Sequence, residues 1–136
     1  MDNIINLKKK HIDDILAHAH SEYPNECCGI LAGKNNRVHK LFRTTNSDRS
    51  QFRYTVEPLE LIVAYKEIRE KGWDLLAVYH SHIRTDAYPS PADIRSAFLP
   101  KSVYIIVSLS DPGKPIIKGF GINEGKITEI ELKIIL

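Results

Sequence analysis

The chain has 136 residues, 43% hydrophobic and 26% charged, with a net charge of +2. That is the profile of a globular domain long enough to bury a core without disulfide staples. Its 19 basic and 17 acidic residues are too evenly balanced for a nucleic-acid or membrane-surface partner.

One domain over residues 1–136 is expected. No apolar run reaches the ~18 residues of a membrane span. The opening MDNIINLKKK lacks the layout of a secretory signal. The two cysteines, Cys27 and Cys28, are adjacent, a placement that rarely meets disulfide geometry. A reducing, cytoplasmic setting follows as the expectation. Side-by-side cysteines also make a poor zinc pair, because zinc motifs separate them.

In chain order, residues 4–7 read as a short strand. Lys8-Lys9-Lys10 is the only dense basic run and reads as a solvated turn. Residues 9–22 carry Ile12, Ile15, Leu16 and Ala19 at helical spacing, and Pro24 ends that segment. Residues 28–32 are a small apolar run, read as a buried strand and closed by a turn at 33–36. Residues 38–45 form the return strand, 46–51 a polar loop and 52–56 a short strand. Pro58 opens a helix to about Lys71, with Leu61, Ile62, Tyr65 and Ile68 on one face and Gly72 as its stop. Residues 75–79 are the central strand, 83–89 a loop, 90–98 a short helix and 103–109 a β-branched strand. Asp111-Pro112-Gly113 makes a turn, and residues 116–122 and 126–135 pair around Asn123-Glu124-Gly125. Helices interleaved with strands predict a mixed sheet flanked by helices.

The chemistry concentrates at His80-Ser81-His82. Residues two apart on a strand share a face, so both imidazoles aim at one point and Ser81 faces away. Strand ends beside loops are also where α/β folds place their chemistry. Asp93 follows closely enough to return to the same point. Two histidines and a carboxylate suit a catalytic zinc, whose fourth position stays open for water. Ser90 and Asp93 have a plainer reading: Ser90-Pro91-Ala92-Asp93 is a good helix start, with Ser90 as N-cap. His18-Ala19-His20 has the same spacing as His80 and His82, but in a helix such residues diverge and do not chelate. His11 and His39 read as surface residues. Glu26, before a strand, reads as solvated on local grounds alone. Cys27 and Cys28 read as packing residues rather than nucleophiles.

Taken together, His80-Ser81-His82, Ser90 and Asp93 match the signature of the JAMM (MPN+) metalloproteases. Pro24-Asn25-Glu26-Cys27-Cys28-Gly29-Ile30-Leu31 resembles the segment that carries that family's catalytic glutamate. Trp73 to Tyr79 looks like the strand leading into its histidines. The resemblance spans nearly the whole chain, and its length is similar to that of the compact prokaryotic members. One departure is Ile83, where family members often have proline; it makes the loop 83–88 a place where substrate is presented differently.

The resemblance implies an α/β/α sandwich with a central mixed β-sheet, related to the cytidine deaminases. The zinc deaminases themselves need His-x-Glu and Pro-Cys-x-x-Cys, which this chain lacks. It implies one catalytic Zn2+ on His80, His82 and Asp93, with Glu26 as general base and Ser90 stabilising the oxyanion. It further implies a peptidase or isopeptidase acting at the C-terminal Gly-Gly tail of a ubiquitin-like or sulfur-carrier protein. Release of a cysteine or of a C-terminal extension belongs to the same chemistry. Such a tail is expected to add along an exposed strand edge, for which 52–56 is the candidate. The rival readings are a non-catalytic MPN-type binding scaffold, as in members that lost their ligands, and a metallohydrolase of small amides. Oligomeric state is not legible.

Overall fold

The structure, a computed structural model, describes residues 3–97 and 99–136. Its elements in chain order are β1 (Ile4–Lys8), α1 (Lys9–Glu22), β2 (Cys28–Lys34), β3 (Arg37–Thr44), α2 (Pro58–Lys71), β4 (Asp74–His82), α3 (Pro91–Ser96), β5 (Val103–Ser108), β6 (Ile116–Asn123) and β7 (Lys126–Ile135). The strands run β1-β3-β2-β4-β5-β6-β7, and the sheet closes because β1 also pairs in parallel with β7. The mixed sheet expected from the chain is present, and its closure into a barrel is a feature that the sandwich expectation did not specify. Closure joins the two chain ends, a pairing that no local pattern announces.

Helices cover opposite faces of this sheet. Ile15 and Ala19 of α1 pack with Leu31, Ala77, Tyr79 and Ile105 on one side. On the other, Ala64 and Ile68 of α2 pack with Ile30 and Ala32. Local chemistry sets the ends of α2. The Glu57 side chain accepts from the Glu60 amide, Pro58 occupies the first turn, and Gly72 closes the helix at φ 67°, a left-handed conformation that glycine adopts without a Cβ penalty.

Strand β4 is longer than the apolar run 75–79 predicts. Its two neighbours extend it: it pairs with β2 in antiparallel from Asp74 to His80, and with β5 in parallel from Ala77 to His82. Leu76 is an extra residue in the β2 ladder, between the pairs Leu31↔Ala77 and Ala32↔Leu75. That bulge brings Leu75 to the cluster that holds Val78.

Four expectations need correction. Residues 52–56 form no strand; only Val56 makes an isolated bridge, to Asn46. Two of its backbone groups, the Arg53 carbonyl and the Thr55 amide, bond to the Asn46 side-chain amide, while the Thr55 carbonyl accepts the Ser47 amide. His11 is buried, because its Nδ1 accepts the Lys8 amide at 3.0 Å as α1 begins. Lys8-Lys9-Lys10 is the junction of β1 and α1 rather than a turn. The helix at 90–98 is shorter than expected, ending at Ser96, and Phe98 lies outside the described residues.

Candidate metal centre

The pairing of β4 with β5 carries the extended backbone through His82, so both histidines project to the same face. The Nε2 atoms of His80 and His82 lie 3.1 Å apart. Asp93 Oδ2 sits 3.2 Å from the first and 2.9 Å from the second. Both rings are buried. Ser81 points the other way, and its Oγ accepts the Cys27 amide at 2.8 Å.

Asp93 reaches this point through α3. Ser90 is the N-cap, its Oγ accepting the Asp93 amide at 3.1 Å, while Asp93 Oδ2 accepts the Ser90 amide at 2.9 Å. The cap expected at Ser90 is present, and the carboxylate that completes it also faces the two imidazoles. The preceding loop is pinned. Ile83 and Ala87 are buried, and the Ser108 hydroxyl donates to the Thr85 carbonyl at 2.6 Å. Ile83 thus packs inward, and the exposed groups of the loop are Arg84, Thr85, Asp86 and Tyr88.

Glu26 arrives by strand register. Cys28 of β2 lies opposite His80, and Ser81 donates to the Cys27 carbonyl at 3.2 Å, so the antiparallel ladder leads Glu26 towards His82. Glu26 is buried, not solvated, and its Oε1 has no hydrogen-bond partner among the described residues. Burial pushes its carboxyl up to about 8; His82 opposes that shift and the Asp93 charge adds to it. A proton acceptor poised in this range suits general-base work near neutral pH.

The donor set fits a metal ion. His82 Nδ1 lies 2.8 Å from the Asp86 carbonyl, which only accepts, so Nδ1 carries the proton. In the neutral ring, Nε2 is then a bare lone pair facing the Asp93 carboxylate. That close approach is satisfied either by a proton on Nε2 or by a cation held between the two groups. Burial disfavours charge on His82, but Asp93 and the Asp86 carbonyl outweigh it and raise its pKa. Burial likewise opposes the Asp93 charge, yet the bonds to His80 and His82 hold its carboxyl well below the usual range. Burial lowers His80, leaving a neutral ring. One donor atom from each of His80, His82 and Asp93 comes within 4.8 Å of the other two. Two oriented imidazoles plus one carboxylate are a zinc-type set.

Three groups around the site escape sequence reasoning. Tyr54 stacks on His80, with ring centroids 4.4 Å apart and planes 24° from parallel. The Asp86 carbonyl sets the His82 tautomer, and Asn46 bonds to the Glu26 carbonyl at 3.0 Å. None lies at a spacing that a periodicity would reveal. Cys27 and Cys28 are both buried free thiols. Burial pushes them up to about 12 and about 11, so neither is a nucleophile at neutral pH. His18 and His20 diverge as a helix requires: His18 is buried against the Tyr79 hydroxyl, and His20 is exposed.

Residues 8–117 match the family of prokaryotic homologs of the JAB domain. The chain belongs to that family. It is 30% identical over 126 residues to the CysO-cysteine peptidase of Mycobacterium tuberculosis, covering 91% of this chain and 86% of that one. It is 37% identical over 87 residues to a probable TtuB-protein conjugate cleaving protease of Thermus thermophilus, covering 63% and 58%. A solution structure of a protein from Desulfitobacterium hafniense superposes with a TM-score of 0.87 at 38% identity, over 97% of this chain and 93% of that one. A JAB1/MPN domain protein from Archaeoglobus fulgidus superposes at 0.64 with 19% identity, over 97% and 98%, and shares the fold. This is a compact prokaryotic JAMM-type protein, as the motif implied.

Proposed function

We propose that this JAB-domain protein is a zinc-dependent peptidase or isopeptidase. It hydrolyses an amide bond at the C-terminal Gly-Gly tail of a ubiquitin-like or sulfur-carrier protein. The observation that carries the reading is the meeting of His80 Nε2, His82 Nε2 and Asp93 Oδ2 at one point, with the buried, unpartnered Glu26 carboxyl close enough to feel the charges of His82 and Asp93. Two relatives, named as a peptidase of CysO-cysteine and a protease of TtuB-protein conjugates, support the substrate class. Helices on opposite faces of the sheet support the finer description of the fold as a layered α/β/α domain.

His80, His82 and Asp93 would hold one zinc ion. Bound zinc of this kind lowers the pKa of water from 15.7 to about 7 and polarises a carbonyl oxygen. Glu26 takes the proton of the attacking water and returns it to the leaving amine nitrogen. Ser90 uses its oxygen to accept from Asp93, which leaves its hydroxyl proton for the substrate oxygen as negative charge builds there. Asp86 keeps His82 from turning.

The test is metal content by mass spectrometry, followed by incubation with a Gly-Gly-tailed carrier bearing either a C-terminal cysteine or a lysine-linked protein. About one zinc per chain, lost in a His80→Ala, His82→Ala variant, and cleavage of either substrate are expected. A wild type that takes up no metal after zinc incubation would refute the reading and favour a binding scaffold.

A further inference from the structure

Asn46 lies in the connection between β3 and α2 and is 3% exposed. Its side-chain amide fills its full complement of hydrogen-bonding positions. Nδ2 donates to the Glu26 and Arg53 carbonyls, both at 3.0 Å. Oδ1 accepts from the Asp48 amide at 3.0 Å and the Thr55 amide at 3.1 Å. One planar group therefore ties the backbone of Glu26 to both flanks of Tyr54, the residue stacked on His80.

Glu26 needs such a tie. It sits between α1 and β2, outside any ladder, and its Oε1 has no partner among the described residues. The place of its carboxylate is thus set by the backbone from which it hangs. The peptide unit after Glu26 is clamped at both ends: its carbonyl takes the Asn46 amide, and its N–H donates to Ser81 Oγ at 2.8 Å. The peptide unit before it donates to the Ser50 carbonyl, also at 2.8 Å.

We propose that Asn46 is a positioning residue for hydrolysis: it locks the Glu26 backbone to the Tyr54 segment and so sets the carboxylate against the metal ligands. The inference rests on Glu26 being the base. Asn46→Asp separates its two halves. The Oδ1 bonds to Asp48 and Thr55 survive, while the donor is replaced by an oxygen facing two carbonyl oxygens. Asn46→Ala removes both halves.

The experiment measures kcat and KM under single-turnover conditions, zinc affinity by chelator competition, and amide exchange in the metal-free protein. Asn46→Asp is expected to lower kcat by about 100-fold, the scale of a small misplacement of a reacting group. KM and zinc affinity should stay within about twofold of wild type, and the Cys27 amide should exchange about tenfold faster while Thr55 stays protected. In a Glu26→Gln background, adding Asn46→Asp should cost nothing further, because the two act through one group. An unchanged kcat, or an equal loss in both backgrounds, would overturn the proposal. Should Asn46→Asp fail to fold, Asn46→Ala is combined with Glu26→Gln and judged by the same rule. Wild-type turnover in Glu26→Gln alone would instead remove the base assignment itself.

Discussion

Glu26 is buried as a carboxyl, and that burial is costly in a way that can be measured without turnover. Its pKa stands at about 8 in the fold, against an ordinary value of 4.5, with burial as the leading cause. Between those two values the folded protein keeps a proton that the unfolded chain has released, so the fold loses stability as pH rises through that window. Each pH unit is worth about 1.4 kcal/mol. The whole span then amounts to about 5 kcal/mol above pH 8, and to about 3 kcal/mol at pH 7. Glu26→Gln removes the titration and keeps the shape. Metal-free Glu26→Gln should therefore match the metal-free wild type at pH 4, exceed it in stability at pH 7, and exceed it most at pH 9. Urea unfolding in the presence of a chelator reads this directly. Zinc should narrow the gap, since a bound cation favours the carboxylate, while the variant keeps only a small residual turnover. A stability difference that does not change between pH 4 and pH 9 would refute the argument.

Other perturbations probe the supports of the site. A Cβ at Gly29 would collide with the Tyr79 ring at Cε2, Cζ and the hydroxyl oxygen, and that ring is fully buried and bonded to His18 at 2.7 Å. Gly29→Ala should cost about 2–4 kcal/mol in denaturant unfolding, from overpacking and a weakened hydrogen bond; adding Tyr79→Leu should recover part of it, and a loss below about 0.5 kcal/mol would contradict the packing. Zinc at a thousand times its Kd should stabilise the wild type by about 4 kcal/mol, and thermal melts of His82→Ala should show no such gain. Cys27→Ser, Cys28→Ser should retain turnover while folded and metallated, because both thiols stay protonated at neutral pH; a folded, zinc-loaded but dead double variant would reinstate a thiol mechanism. Ser90→Ala should keep zinc, since the bond to Asp93 Oδ2 comes from the Ser90 backbone, yet lose about 10²–10³ in kcat. Loss of zinc in that variant would make Ser90 a support of Asp93 rather than a donor to the substrate.

The cluster of His80, His82 and Asp93 was legible because strand periodicity aligns the two histidines, and because α3 begins where a cap signal says it does. The strand–helix order was legible from apolar spacing, down to the stop at Gly72. Glu26 was recognisable only through family resemblance: its burial follows from the pairing of β2 with β4, a contact far apart in the chain. Closure of the sheet was hidden for the same reason, since β1 and β7 meet from opposite ends of the chain. The error at 52–56 has a more local cause. Alternating side chains there imitate a strand, but the Arg53 carbonyl and the Thr55 amide go to the Asn46 side chain, and the only ladder-like contact is the bridge of Val56 to Asn46. A polar residue in a polar loop carries no sign that it will serve as such a hub. His11 was misplaced on similar grounds, as its ring takes up the amide that an ordinary cap residue would leave to solvent.

The two readings of Ser90-Pro91-Ala92-Asp93 were never true rivals. A helix start needs a carboxylate turned back towards the N-cap amide, and a metal site needs a carboxylate held still. Asp93 Oδ2 meets both needs with one atom, accepting the Ser90 amide while facing the two imidazoles. The cap restricts the side chain before any ion arrives, so little further rotamer freedom is lost on binding. The same economy appears at Ser81, which spaces the histidines onto one face and uses its own side chain, on the other face, to hold the amide next to Glu26. In this chain the residues that end β4 and begin α3 complete a strand and a helix cap and, in the same place, gather three groups that could hold a metal ion. That is why a sequence pattern with an ordinary structural explanation can still mark a candidate site.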